Sequence, residues 1–309
     1  MIKLGALGDV VLAQTAMARV RAAHPEAEIT LLTTPPYVPI GEASPFVDRV
    51  EADGRPKGLK PTWAMLKRLR EARYERVYDL QTSSRSSFYF QALRPDPPPW
   101  SGVAKGCALP HRNPDRDRMH TLERQAEQLK DAGIWPHAPT GAGSAPPPDV
   151  SWLVSGEVRR ALGLEGRYAL LIPGGSAHRL DKRWPAGRYA QLALELVRRD
   201  LQVAVIGGPD EAALCAEIVD KAPQVKSLAG RTSFADIASL AASASLAVGN
   251  DTGPMHLVAA AGAPSLTLFS DASDPALTAP RGRSVTVLRR SSLDELHVSE
   301  VLEASEHLA

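Results

Sequence analysis

Apolar positions along the chain follow two rhythms that alternate from end to end. Short, largely apolar runs fall at 28–33, 77–80, 168–172, 201–206, 246–248 and 265–269, and those at 28–33, 168–172, 201–206 and 246–248 are closed by Gly or Pro. Between them lie stretches with the helical period at 10–23, 186–199, 210–221, 234–244 and 254–261, and residues 71–76 finish another. Continuous apolar runs of this length read as buried parallel strands, and the periodic stretches as the helices that cross between them. Strand, helix, strand with short connections predicts an α/β fold with right-handed crossovers. One strand departs from the pattern. Only residues 1–4 precede the turn at Gly5-Ala-Leu-Gly-Asp9, fewer than the five or six residues usual for a buried strand. The first strand therefore reads as clipped, and both a start further upstream and a domain that tolerates a stub fit.

The 309 residues suit two domains rather than one. Residues 141–149, GAGSAPPPD, resist both helix and strand and mark the linker. The expected division is an N-terminal domain over 1–148 and a C-terminal domain over 149–309. A net charge of +1 and 5% aromatic residues argue against a nucleic-acid partner. Cys107 and Cys215 are too few for a disulfide framework. No stretch has the roughly 20 apolar residues of a membrane-spanning helix, and no signal peptide is read at the start. The expectation is a cytoplasmic protein, with peripheral contact to the inner membrane still open.

Ligands of open parallel sheets bind at the carboxyl ends of the strands. Three strands of the second half end in small-residue loops: Pro173-Gly-Gly-Ser176, Gly207-Gly-Pro209 and Gly249-Asn-Asp-Thr-Gly253. Such loops end strands in any protein. They also let backbone N–H groups approach an anion at a helix start. Gly174 and Ser176 are candidates on the first loop. On the third, Asn250, Asp251, Thr252 and Gly253 lead into a helix carrying His256 in its first turn. Asp251 and Thr252 suit an N-cap and Pro254 the first turn, so a well-capped helix explains the segment equally. A histidine beside an anion site is not required by capping.

The first loop continues into residues 177–185, AHRLDKRWP, with His178, Arg179, Lys182 and Arg183. Lys182 is placed to neutralise a departing diphosphate. Glu211 follows the second loop and would accept hydrogen bonds from a ribose, or simply face solvent. In the first half, Asp9 closes the corresponding turn and reads both as an N-cap and as a base for an acceptor hydroxyl. Residues 55–73 hold seven Lys or Arg and one acid, Glu71. Most such runs are solvated faces, but this one, with Lys57, Lys60 and later Arg85, suits an anionic acceptor. Arg112, Arg116 and Arg118 would extend it. Asp115-Arg-Asp117 spells D-x-D in a basic loop rather than after an apolar strand, and no metal site is read there or elsewhere.

With these residues assembled, the chain resembles the heptosyltransferases of glycosyltransferase family 9, which use ADP-heptose in lipopolysaccharide core assembly. The segments that carry the resemblance are LGALGDVVLAQTAM, PGGSAHRLDKRWPAGRYAQLA and GNDTGPMHLVAAAGAPSLTLF. It implies a GT-B architecture, two Rossmann-like domains with parallel sheets facing across a cleft, and an inverting transfer without metal or cofactor. It implies Asp9 as catalytic base and Lys182 as a phosphate-binding residue, with Asp251, Thr252, Gly253 and His256 lining the donor site and Glu211 at the ribose. The donor would bind the second domain and an anionic glycolipid the first, and the last helix would cross back to the first domain. A nucleotide-sugar epimerase on the same scaffold, and a binding protein without turnover, are the other readings.

Overall fold

The computed structural model describes residues 1–139, 141–156, 158–175 and 179–308. The chain divides into two compact units, Met1–Pro146 and Pro147–Ala309.

The first unit contains helices α1 (Leu7–Leu12), α2 (Gln14–Ala23), α3 (Val38–Ala43), α4 (Leu59–Glu71), α5 (Ser84–Ala92) and α6 (Thr121–Asp131). Its strands are β1 (Thr30–Leu32), β2 (Arg49–Glu51), β3 (Val77–Tyr78), β4 (Trp100–Gly102) and β5 (Leu109–Pro110). β1 pairs β2, and β3, β4 and β5 pair in that order, all parallel. The stub at the chain start joins the two groups. Ile2 bridges both Leu32 and Asp79 in parallel, its N–H donating to the Tyr78 carbonyl at 2.9 Å, and the Lys3 N–H donates to Leu32 at 3.0 Å. Counted with the stub as first strand, the spatial order is 3-2-1-4-5-6, the Rossmann order. Its switch point lies between the stub and β3.

The helix expected over 10–23 is two helices. It starts earlier, at Leu7, and is interrupted at Ala13, the C-cap of α1 and N-cap of α2. Asp9 is accordingly not the N-cap. That position is Ala6, and Asp9, three residues in, reaches back to accept the Ala6 N–H at 3.2 Å.

In the second unit, α7 (Val158–Ala161), α8 (Ala186–Arg198), α9 (Ala212–Lys221), α10 (Phe234–Ala241), α11 (Gly253–Ala260), α12 (Pro275–Thr278) and α13 (Val298–Glu306) surround one sheet. Its strands are β6 (Tyr168–Ile172), β7 (Gln202–Val205), β8 (Lys226–Ser227), β9 (Leu246–Asn250), β10 (Ser265–Phe269) and β11 (Val285–Arg289). They pair in parallel in the order β11-β10-β9-β6-β7-β8, again Rossmann, with the switch point between β6 and β9. Burial on both faces explains the continuous apolar runs: all five residues of β6, β9 and β10 are buried. The last helix, α13, buries Val298 and Val301 in this unit's core and packs against α8, β10 and β11. Among the described residues no helix is long and apolar enough to cross a membrane.

Candidate active site

In the second unit the chemistry is built around the carboxyl ends of β6, β7 and β9. β9 runs two residues further than the sequence suggested, so Gly249 and Asn250 belong to the strand. A side chain at Gly249 would meet Met255 Sδ at 2.6 Å and Ile172 Cβ at 2.8 Å, so glycine lets α11 fold back closely onto the strand ends. Asn250 is wholly buried. Its Nδ2 donates to the carbonyls of Pro173 at 2.7 Å and Gly174 at 3.2 Å. Its Oδ1 accepts from the Trp184 N–H and the Tyr189 hydroxyl, each at 3.0 Å. One amide thus ties together the loop after β6, the end of β9 and the start of α8. The side chain is committed to shaping the loops rather than to a ligand. Burial raises the Tyr189 phenol well above its ordinary pKa, which keeps it a neutral donor to that amide. Trp184 is also buried, its indole N–H donating to Leu296 at 3.0 Å, and anchors the exit of the cationic loop.

Glu211 ends a short helical turn, Pro209–Glu211, after β7. Its two oxygens accept the N–H groups of Gly175 and Gly208, both at 2.8 Å, so one carboxylate braces the loops after β6 and β7. Gly174 is required for this arrangement: a Cβ there would lie 1.8 Å from Glu211 Oε1. Each oxygen keeps acceptor capacity beyond its backbone bond.

The cation nearest the β9 loop is Lys182. Its ammonium lies 2.6 Å from Asp251 Oδ2, which also accepts from Ser273 Oγ at 2.7 Å. Asp251 therefore holds the lysine rather than capping α11. The cap position is Thr252, whose side chain makes no capping bond, and Gly253 opens the helix. Arg183 donates to the Gly175 carbonyl, and its Nε–H is buried with no hydrogen-bond partner among the described residues. Arg179 is turned outward to Asp181 and the Ala272 carbonyl. His256 is buried at 6% exposure, with most of its surface inside the unit. Ser176 and His178 lie outside the described residues.

In the first unit, Asp9 stands at the corresponding switch point. Its side chain is 42% exposed, and Oδ1 lies 3.5 Å from the ammonium of Lys3, a residue the sequence reading passed over. Lys3 is 3% exposed and donates to the Leu80 carbonyl at 3.1 Å. Burial pulls its pKa down, while Asp9 pushes it back up. Gly5, at φ +118°, carries the chain over Tyr37, whose ring a Cβ would strike at 2.4 Å. Arg124 on α6 is a second cation missed in the sequence. Burial and Arg116 lower its pKa, and Asp117 and Asp9 act against them. Arg116 bonds Thr82 Oγ1 at 3.0 Å and His111 Nδ1 at 3.3 Å, which brings it to the loop after β3. The carboxylates of the D-x-D triplet are ion-paired, Asp117 to Arg116 at 2.9 Å and Asp115 to Arg118 at 3.6 Å. Lys57, Lys60, Arg85 and Arg112 are exposed.

The glycosyltransferase family 9 (heptosyltransferase) model matches residues 62–305, most of the chain. The chain belongs to that family. The lipopolysaccharide heptosyltransferase 2 of Salmonella typhimurium is 26% identical over 308 residues, covering 92% of this chain and 85% of its own. Among solved structures, the E. coli ADP-heptose lps heptosyltransferase II superposes with a TM-score of 0.81 at 24% identity, covering 99% of this chain and 97% of its own. The E. coli heptosyltransferase WaaC with ADP gives 0.78 at 22%, covering 100% and 98%. The two Rossmann-like units are those of the GT-B fold, and as a family 9 member the chain is a glycosyltransferase. The epimerase reading yields to that membership.

Proposed function

We propose that this family 9 transferase moves a heptose from ADP-heptose, with inversion, onto an anionic, lipid-linked glycan of the lipopolysaccharide-core type. The observation that carries the reading is the contact between Lys182 and Asp251 at the β6–β9 switch point. A lysine held by one carboxylate oxygen keeps two N–H donors for phosphate oxygens. The loop N–H groups and the start of α11 add positive potential at the same strand ends. Together they suit a nucleoside diphosphate, and the names of the relatives supply the adenosine and the heptose.

The transfer is a single displacement. The acceptor oxygen forms its bond to the anomeric carbon as the bond to the diphosphate oxygen breaks, which inverts that carbon. Asp9 takes the acceptor proton, held in orientation by the Ala6 N–H and Lys3. Lys182 and α11 stabilise the charge gathering on ADP. Glu211 would accept from the ribose with the capacity its backbone bonds leave free. Lys57, Lys60 and Arg85 would attract the anionic acceptor, and Arg124 interacts electrostatically with Asp9.

A panel of nucleotide sugars tested by thermal shift examines the donor assignment. A ligand at about 100 times its Kd stabilises the fold by roughly 2.7 kcal/mol. ADP-heptose should raise the melting temperature most. A larger shift with UDP sugars would overturn the heptose donor and leave the transferase standing.

A further inference from the structure

Helix α4 carries two large apolar side chains in water: Leu59 is 84% exposed and Trp63 68%. The rest of the helix is conventionally amphipathic. Met65, Leu66 and Leu69 are buried in a cluster with Tyr89, Phe90 and Leu93. At 3.6 residues per turn, Leu59, Lys60, Trp63, Lys67 and Arg70 share an arc of about 100° that flanks the buried stripe. Lys57 stands just before the helix and is exposed, as are Lys60 and Lys67. Of the acids nearby, Glu51 and Asp53 pair with Arg68, and Glu71 pairs with Lys67 on the arc itself at 3.7 Å, which leaves Lys57, Lys60 and Arg70 as its cations without a carboxylate partner among the described residues. The arc is therefore cationic, with a leucine and a tryptophan projecting from it.

We infer that this face of α4 docks the enzyme on an anionic phospholipid bilayer. The inference rests on the reading of the acceptor as lipid-linked. A glycan is gripped from several sides, whereas side chains exposed to this degree have no walls around them. A protein partner of ordinary kind needs a contiguous apolar patch. Here the apolar groups are interleaved with lysines, the mixture that suits the headgroup layer. Leu59 and Trp63 enter the acyl boundary, and the lysines extend their charged ends to the phosphates. Negative surface potential supplies the complementary charge.

Sedimentation of the full chain with vesicles lacking any glycolipid, and with no nucleotide sugar added, tests this. Vesicles of phosphatidylcholine with about one-third phosphatidylglycerol should bind the enzyme at least about tenfold better than phosphatidylcholine alone, with binding weakened by salt. Leu59→Ser with Trp63→Ser should lower that binding about tenfold, whereas Leu59→Met with Trp63→Phe should restore most of it. Both double variants should keep wild-type thermal stability and wild-type transfer to a soluble, delipidated acceptor glycan. Equal binding by the serine variant would overturn the inference. So would wild-type enzyme that binds vesicles only when they contain the glycolipid acceptor. Loss of transfer to the soluble acceptor would instead assign these side chains to glycan recognition and also overturn it. Failure of the wild type to use any heptose acceptor would count against the proposed reaction, independently of vesicle binding.

Discussion

Lys182 Nζ lies 2.6 Å from Asp251 Oδ2, and Ser273 Oγ donates to the same oxygen. The Asp251 side chain is 8% exposed and that of Lys182 is 19%, so the pair is shielded but reachable at its lysine end. Lys182→Met should leave a nearly buried carboxylate without its cation, at a cost of about 1–3 kcal/mol. It should also lower transfer by about 10²–10³-fold through lost stabilisation of the leaving diphosphate. Adding Asp251→Asn to Lys182→Met should recover the stability and none of the activity. Chemical denaturation and kcat on the three proteins check this. Recovery of activity in the double variant would show that Lys182 serves only to neutralise Asp251.

Gly174→Ala tests the carboxylate brace. The new Cβ would overlap Glu211 Oε1 at 1.8 Å, so the side chain must abandon its bond to Gly175. Overpacking of this kind costs about 1–3 kcal/mol. The melting temperature should fall by several degrees and the KM for the donor should rise, with the fold retained by circular dichroism. An unchanged donor KM would remove the loop after β6 from the donor site.

Cys215 gives a pH dependence with a definite sign. It is wholly buried on α9, and burial, with the Glu211 charge adding to it, pushes its thiol from 9.0 up to about 11. Between these values the unfolded chain loses a proton that the folded chain keeps. Folding stability must therefore fall as pH rises through that window, by up to about 3 kcal/mol from this group. Urea titrations at pH 8.5 and 11 should show the difference shrink in Cys215→Ala, a comparison that cancels the tyrosines. An identical pH dependence in both proteins would contradict the assignment.

Much of the second unit could be read from the chain. Runs such as Tyr168–Ile172 and Leu246–Val248 are apolar at every position because both faces of the strand are covered, and Pro173 or Gly249 follows them. In the first unit the strands have two or three residues, as in Val77–Tyr78 and Leu109–Pro110, too short to carry a period. Val285–Arg289 escapes the sequence pattern for another reason: at the sheet edge its residues are only partly buried, so the run need not be continuously apolar. The loops that carry Gly174 and Asp251 were legible, because small and polar residues at a strand end are a local signal. Glu211 as a brace and Asn250 as a knot depend on contacts 36 and 77 residues apart in sequence, and the Lys3 that faces Asp9 is tied to Leu80, 77 residues on, none of which spacing reveals. Lys3 in particular looks like a strand-end solvating charge until the fold buries it.

The most direct measurement is ADP release by the purified enzyme with ADP-heptose, with and without an anionic core glycolipid, in wild type and Asp9→Asn. The wild type should release ADP and extend the acceptor only when both substrates are present. Asp9→Asn should lose about 10²–10⁴-fold in transfer, the usual worth of a general base, while ADP-heptose still raises its melting temperature as in the wild type. Wild-type turnover in the Asp9→Asn variant, or ADP release with no heptose on the acceptor, would contradict the account.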